Sequence, residues 1–213
     1  MNEYETEEQQ LEALKKWWKE NGTSLIVGLV VGVSALFGWR AYVQQNNAHA
    51  VQASDLYMQA IQSMAMQPAD EKLVDVKAID INNKLINEYT DTPYAALSSL
   101  ALAKVEYEKG DVDSAIAQME LAVKHASDNI IKQIANLRLA RLYIEQKKYS
   151  EASAILDMPH DTTYDAQFEE LKGDVFSAKG DVAEARMAYD RAITLQGGAA
   201  SKWLKLKRQN LGA

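Results

Sequence analysis

Nineteen consecutive positions, Asn21 to Trp39, carry no charged side chain. Within them, Leu25-Ile-Val-Gly-Leu-Val-Val-Gly-Val-Ser-Ala-Leu-Phe-Gly-Trp39 is apolar on every face that a helix could present. Carried on to Val43 the run is about 20 residues, or roughly 30 Å of helix, which matches the hydrocarbon core of a bilayer. Trp17 and Trp18 precede it, and Trp39 and Tyr42 close it, so aromatic rings fall at both interfaces. Arg40 lies near enough to the end to snorkel to the headgroups. A core helix of a soluble domain is rarely apolar all round for this long. The expectation is a membrane helix over residues 24–43, behind a tail of residues 1–23.

The flanks set an orientation. Lys15, Lys16 and Lys19 stand before the run, whereas after Arg40 no Lys or Arg appears until Lys72. Excess basic charge stays on the cytoplasmic side, so the tail is expected there and residues 44–213 across the membrane. A cleavable signal peptide is the rival, since Ala48-His49-Ala50 has the form of a cleavage site. The apolar run is too long for it, and the segment before the run is long and acidic. In that tail Leu11, Leu14, Trp17 and Trp18 fall on one helical face, an interfacial lead-in or a docking peptide for a cytoplasmic partner. Asn21-Gly22-Thr23-Ser24 is expected to break and recap the chain. Ser24, Gly28 and Gly32 repeat at four-residue spacing, a small-residue stripe that lets a second membrane helix approach closely.

Beyond residue 43 some 170 residues remain, enough for one domain with a real core. That part carries 19 Lys+Arg against 24 Asp+Glu, a mildly acidic balance that argues against nucleic acid as a partner. Cysteine is absent, so no disulfide framework and no thiol chemistry are available.

Internal similarity organises this part. Leu102-Ala103-Lys-Val-Glu-Tyr107-Glu-Lys-Gly110-Asp111-Val-Asp-Ser-Ala115 aligns with Leu139-Ala140-Arg-Leu-Tyr-Ile-Glu-Gln-Lys147-Lys-Tyr-Ser-Glu-Ala152 and with Lys172-Gly173-Asp-Val-Phe-Ser-Ala-Lys-Gly180-Asp181-Val-Ala-Glu-Ala185. Gly110 to Lys147 is 37 residues and Lys147 to Gly180 is 33. Ala103, Ala140 and Gly173 are small where the first helix of a pair meets the second, and Ala115, Ala152 and Ala185 are their counterparts. Gly110 and Gly180 can take the positive φ that ends the first helix. The pattern resembles the tetratricopeptide repeat over Ala96–Ala199. Repeats are expected at about 96–129, 133–162 and 166–199, with a degenerate pair over 44–91 and a capping helix over 199–211. The fold class is all-α: one N-terminal transmembrane helix, then a helical-repeat solenoid. Three departures stand out. Lys147 replaces the turn glycine, Pro159 shortens the middle copy, and Ser99, Asn136 and Glu169 replace the family's first-helix aromatic.

No catalytic signature is present. His49, His125 and His160 are dispersed, no ligand set has metal spacing, and no glycine-rich phosphate loop or nucleophile motif occurs. Neither catalytic residues nor a cofactor or metal are expected. Stacked helix pairs make binding surfaces instead. The resemblance assigns the inner face to Leu97, Leu100, Lys104 and Tyr107, then Ile134, Leu137, Arg141 and Ile144, then an acidic set of Gln167, Glu170 and Asp174. An apolar groove there would suit non-native polypeptide or a partner's hydrophobic helix.

The whole layout resembles the bacterial YfgM family, carried by Asp91-Thr-Pro-Tyr-Ala-Ala-Leu97, Gly110-Asp111 and the ending Trp203-Leu-Lys-Leu-Lys-Arg-Gln-Asn210. That resemblance implies a single-pass protein of the inner membrane, ancillary to the Sec translocon SecYEG and partnered with the chaperone PpiD. It further implies a role in passing non-native secreted polypeptides to periplasmic chaperones, with a cytoplasmic tail that influences a stress response. An assembly scaffold for another envelope complex, or a tethered regulator acting through its tail, would share the layout.

Overall fold

The computed structural model describes residues 7–65 and 76–211, and among these every regular element is a helix. They divide into two compact units, one ending at Val51 and one beginning at Gln52.

Helix α1 (Glu7–Ala65) supplies the described part of the first unit and runs on into the second. The break expected at Asn21–Ser24 does not occur. Asn21 Nδ2 donates to the Trp17 carbonyl at 3.1 Å, so the side chain bonds back into its own helix instead of capping a new one. Gly22 is buried against the Trp18 indole, where a Cβ would meet ring atoms at 3.1–3.3 Å. Helix propensity lost at a glycine is offset here by a ring laid over the bare backbone. From Leu25 to Tyr42 the large side chains are bare on all sides, reaching 70% exposed at Phe37. A helix this long, apolar and uncovered is a membrane anchor.

In the second unit the last turns of α1 pack with α2 (Val76–Glu88). Ala53 and Ala60 are fully buried, and Ala53, Leu85 and Tyr89 form a small core flanked by Leu56 and Ile81. The Tyr57 ring lies 5.5 Å from that of Tyr94, which joins this pair to the next helix. Residues 66–75 of the degenerate pair expected over 44–91 fall outside the described residues.

Three further pairs follow: α3 (Pro93–Glu108) with α4 (Val112–His125), α5 (Asn129–Glu145) with α6 (Tyr149–Leu156), and α7 (Asp165–Lys179) with α8 (Val182–Gln196). The small residues sit at the crossings: Ala103, Ala115, Ala140, Ala152, Gly173 and Ala185 are all buried. The residue 16 positions after the first small one is Met119, Leu156 or Tyr189 in the three pairs. All three are buried. A Cβ on Gly173 would lie 2.4 Å from the Tyr189 ring, so the bulkiest of the three sits over the one residue with no side chain.

The three turns share one bonding pattern although their residues differ. Asp111 N donates to Glu106 O, Lys148 N to Tyr143 O and Asp181 N to Phe176 O, at 2.8–2.9 Å. This closure needs a left-handed residue, supplied by Gly110 at φ 87°, Gly180 at φ 83° and Lys147 at φ 58°. The next helix is then capped by Asp111 accepting from Ser114 N and by Asp181 accepting from Glu184 N. In the middle pair Lys148 stands at the cap and its side chain makes no capping bond.

Two other departures have structural answers. Ser99 turns its hydroxyl to the Ala95 carbonyl, and Asn136 is buried on α5. Helix α6 ends at Leu156, short of Pro159. His160 then stacks on buried Phe168, ring centroids 3.7 Å apart, with Nε2 3.2 Å from Asp165. It anchors the loop that carries it.

Two stability predictions follow from these crossings and turns. Gly173→Ala should destabilise the helical domain by about 1–3 kcal/mol, read from the urea midpoint, because the new methyl overlaps the Tyr189 ring. Adding Tyr189→Met, which copies the residue types of Ala103 and Met119, should recover part of the loss. Lys147→Gly should raise the melting temperature, with a gain of up to about 1 kcal/mol, by removing a Cβ from a left-handed turn. An unchanged melt would show that the turn carries no strain.

Candidate inner-face groove

A groove of about 450 Å³ opens between α3 and α5, with Met119 of α4 at its floor. The first helices of two successive pairs form its walls, as a repeat of small-residue crossings requires. Close approach within each pair pushes the first helices side by side on one surface. Leu100, Ala103, Met119 and Leu142 make an apolar base, each no more than 9% exposed. Lys104, Tyr107, Arg138, Arg141 and Glu145 form the rim.

At one end Tyr107 Oη donates to Glu145 Oε2 at 3.1 Å, a bond across 38 residues of sequence that ties α3 to α5. That hydrogen bond, reinforced by the carboxylate's charge, raises the Tyr107 phenol above its ordinary range. Lys104 makes an exposed ion pair with Glu108 at 3.6 Å, of a kind worth little in water. Behind the groove, Tyr143 is pushed up to about 12 by burial and by its 2.6 Å bond to Glu120.

Of the residues assigned to the inner face, Leu100, Lys104, Tyr107 and Arg141 meet in this groove. Leu97 and Ile144 are half-buried and pack against the main core, Ile134 is half-buried, and Leu137 is core at 6% exposed. At 100° per residue, the face that α5 presents, Arg138, Arg141 and Glu145, is turned by about 50° from the face assigned by the repeat alignment. Arg138 and Glu145 were legible as the three- and four-residue neighbours of Arg141 on one helical face. Leu142 and Met119 were not, because their contribution depends on how the pairs roll on one another.

The acidic third of the inner face is occupied. Helix α9 (Lys202–Gln209) is capped by Ser201 and inserts Leu204, which is fully buried, beside α8. From it Lys207 Nζ donates to Glu170 Oε1 at 2.9 Å and to Asp174 Oδ2 at 2.8 Å. Asp174 also accepts from Tyr189 Oη at 2.8 Å. Burial alone would lower the Lys207 ammonium, but the two carboxylates more than reverse it and raise it overall. Burial and Asp174 together hold the Tyr189 phenol far above its usual value. Leu204 closes the last repeat with partly buried Leu211 packed against the same cluster, while Trp203 is 67% and Leu206 46% exposed. The described part of the capping helix is thus a short latch held by charge as much as by apolar packing.

Nothing in the groove is arranged for catalysis, and no cluster of His, Asp or Glu able to hold a metal occurs among the described residues.

Lys207→Met leaves two half-buried carboxylates facing each other without a cation. It should destabilise the domain by about 1–3 kcal/mol in urea titrations. Adding Glu170→Gln with Asp174→Asn should restore most of the loss. If the single and triple variants melt alike, the latch is held by Leu204 alone.

Residues 15–213 match the family model for the tetratricopeptide repeat-like domain. The chain is 32% identical over 212 residues to a protein of Escherichia coli strain K12 described as an ancillary SecYEG translocon subunit, covering 99% of both chains. It is 30% identical over 205 residues to a protein of the same description from Haemophilus influenzae, covering 96% of this chain and 97% of that one. A third, from Neisseria gonorrhoeae, is 27% identical over 187 residues. No solved structure matches.

Proposed function

The chain belongs to the family of ancillary SecYEG translocon subunits, and from that premise we propose that its helical domain receives secreted polypeptide at the translocon exit. The observation that carries this reading is the groove between α3 and α5, an apolar base with a mixed polar rim, on a chain anchored by one membrane helix. The protein is a non-enzymatic accessory of transport.

The energetics favour a holding role. A chain leaving a translocon exposes apolar side chains that have no core to enter. Burying one on Leu100, Met119 and Leu142 contributes about 1.5–3 kcal/mol, which alone gives millimolar or weaker binding. Such a site is useless free in solution. Confined by its anchor near the exit, it meets its client at an effective concentration in the millimolar range and lets go quickly. Weak binding and tethering together suit transfer to a second chaperone, with PpiD the partner implied by the resemblance.

Orientation belongs to the same proposal. Lys15, Lys16 and Lys19 favour a cytoplasmic N-terminus and a periplasmic groove. Ser24, Gly28 and Gly32 are the positions at which a membrane helix of the translocon or of PpiD would pack, and a Cβ on either glycine would meet nothing within 4 Å in the chain alone.

Photo-crosslinking in intact cells tests the reading. A crosslinker replacing Tyr107 or Arg141 should trap a secreted reporter arrested in the translocon, whereas one replacing exposed Glu151 on α6 should not. Adducts from all three positions, or from Glu151 alone, would place client contact elsewhere.

A further inference from the structure

Resting on the reading of the groove as a polypeptide site, we infer that it selects segments in which an apolar side chain is flanked by carboxylates. The ground is an unmatched pair of arginines. Arg138 and Arg141 are both exposed on the rim, and neither guanidinium has a hydrogen-bond or ion-pair partner among the described residues. Two other arginines are paired, Arg208 with Asp190 at 2.9 Å and Arg191 with Glu169, whereas exposed Arg186 on α8 is unpartnered but lies outside the groove. The one carboxylate on the rim, Glu145, is bonded to Tyr107 and makes no ion pair with either arginine.

The pair is also well placed for a ligand. Three residues apart on one helix, the two side chains stand about 5–6 Å apart on the same face. Leu142 follows Arg141 directly and forms the apolar base between the rims. A ligand side chain seated on Leu100 and Leu142 would carry its own neighbours to the level of the guanidinium groups. Arginine binds carboxylate in a planar, two-pronged geometry that lysine cannot reproduce, so the preference is for acidic side chains, not for negative charge in general. Glu145, tied down by Tyr107, puts a negative charge at the far end. A polypeptide can answer that charge with backbone N–H groups, whereas an acyl chain ending in one anion cannot. The basic counterpart of such a ligand finds no seat further along, because Lys207 already occupies Glu170 and Asp174.

The test uses the full chain in nanodiscs of zwitterionic lipid and fluorescein-labelled, C-terminally amidated peptides, read by anisotropy. Each peptide has a Leu-Trp core flanked on both sides by two glutamates, two glutamines or two lysines. The glutamate peptide should bind at least about fivefold more tightly than the other two, with the margin shrinking as salt rises. Arg138→Gln with Arg141→Gln should abolish the margin while leaving the melt unchanged, since both side chains are exposed. Arg138→Glu with Arg141→Glu should transfer the preference to the lysine peptide, a reversal that a merely structural role would not produce. Equal binding of all three peptides by the unmodified chain overturns the charge preference and leaves the groove as a general apolar site. Binding of none overturns the groove itself. Displacement of the glutamate peptide by decanoate, lost with the same arginine substitutions, would assign the site to acyl anions and overturn the proposal.

Discussion

The domain depends on how closely two helices of a pair can approach. Each crossing is made by two residues with almost no side chain, and in the third pair Tyr189, 16 positions after Gly173, lies over the gap. There even an alanine methyl is excluded, since a Cβ on Gly173 would overlap the Tyr189 ring. Interiors packed to crystal-like density leave no room for both. Because each pair crosses at small residues, its first helix can lie beside the next, and the groove opens between α3 and α5.

The two ends of the inner surface are treated differently, and the difference is electrostatic. At the α3/α5 groove one carboxylate, Glu145, is satisfied within the wall, while two arginines are left without partners. At the third pair the carboxylates are met by Lys207 from the chain's own C-terminal helix. A half-buried carboxylate pair is costly unless a cation is supplied, so the acidic end closes on itself. Exposed guanidinium groups stay hydrated at little expense, so the basic end can remain open. The available part of the surface is therefore short, and the C-terminal helix defines its limit.

Much was decided by the order of residues alone. The anchor follows from a run of apolar residues whose length equals a bilayer core, and no tertiary contact is needed to give that meaning. The repeat follows from small residues recurring at fixed intervals, since only close helix crossings require them. The left-handed turn at Lys147 was legible from its place between Gly110 and Gly180 in the alignment, and it is adopted at φ 58° despite the Cβ. Absence of catalytic machinery was equally plain, because such chemistry needs residue types and spacings that this chain lacks.

What the order of residues left open was decided by groups distant in the chain. Asn21 and Gly22 have the composition of a break, but Trp18 covers the glycine and the asparagine bonds back to Trp17, so α1 continues. Leu137 and Leu100 occupy alike places in the repeat. Both are buried in the main core, Leu100 at 9% and Leu137 at 6% exposed, but only Leu100 also lines the groove. The roll of the pairs brings Arg138 beside Arg141 on the rim and turns Ile144 inward. Glu170 and Asp174 read in sequence as an acidic face, and Lys207, more than 30 residues later, bonds to both. Periodicity fixes which side of a helix is apolar to within about one residue's rotation. Which of two adjacent side chains meets solvent lies inside that margin, and only the packing of neighbouring pairs settles it.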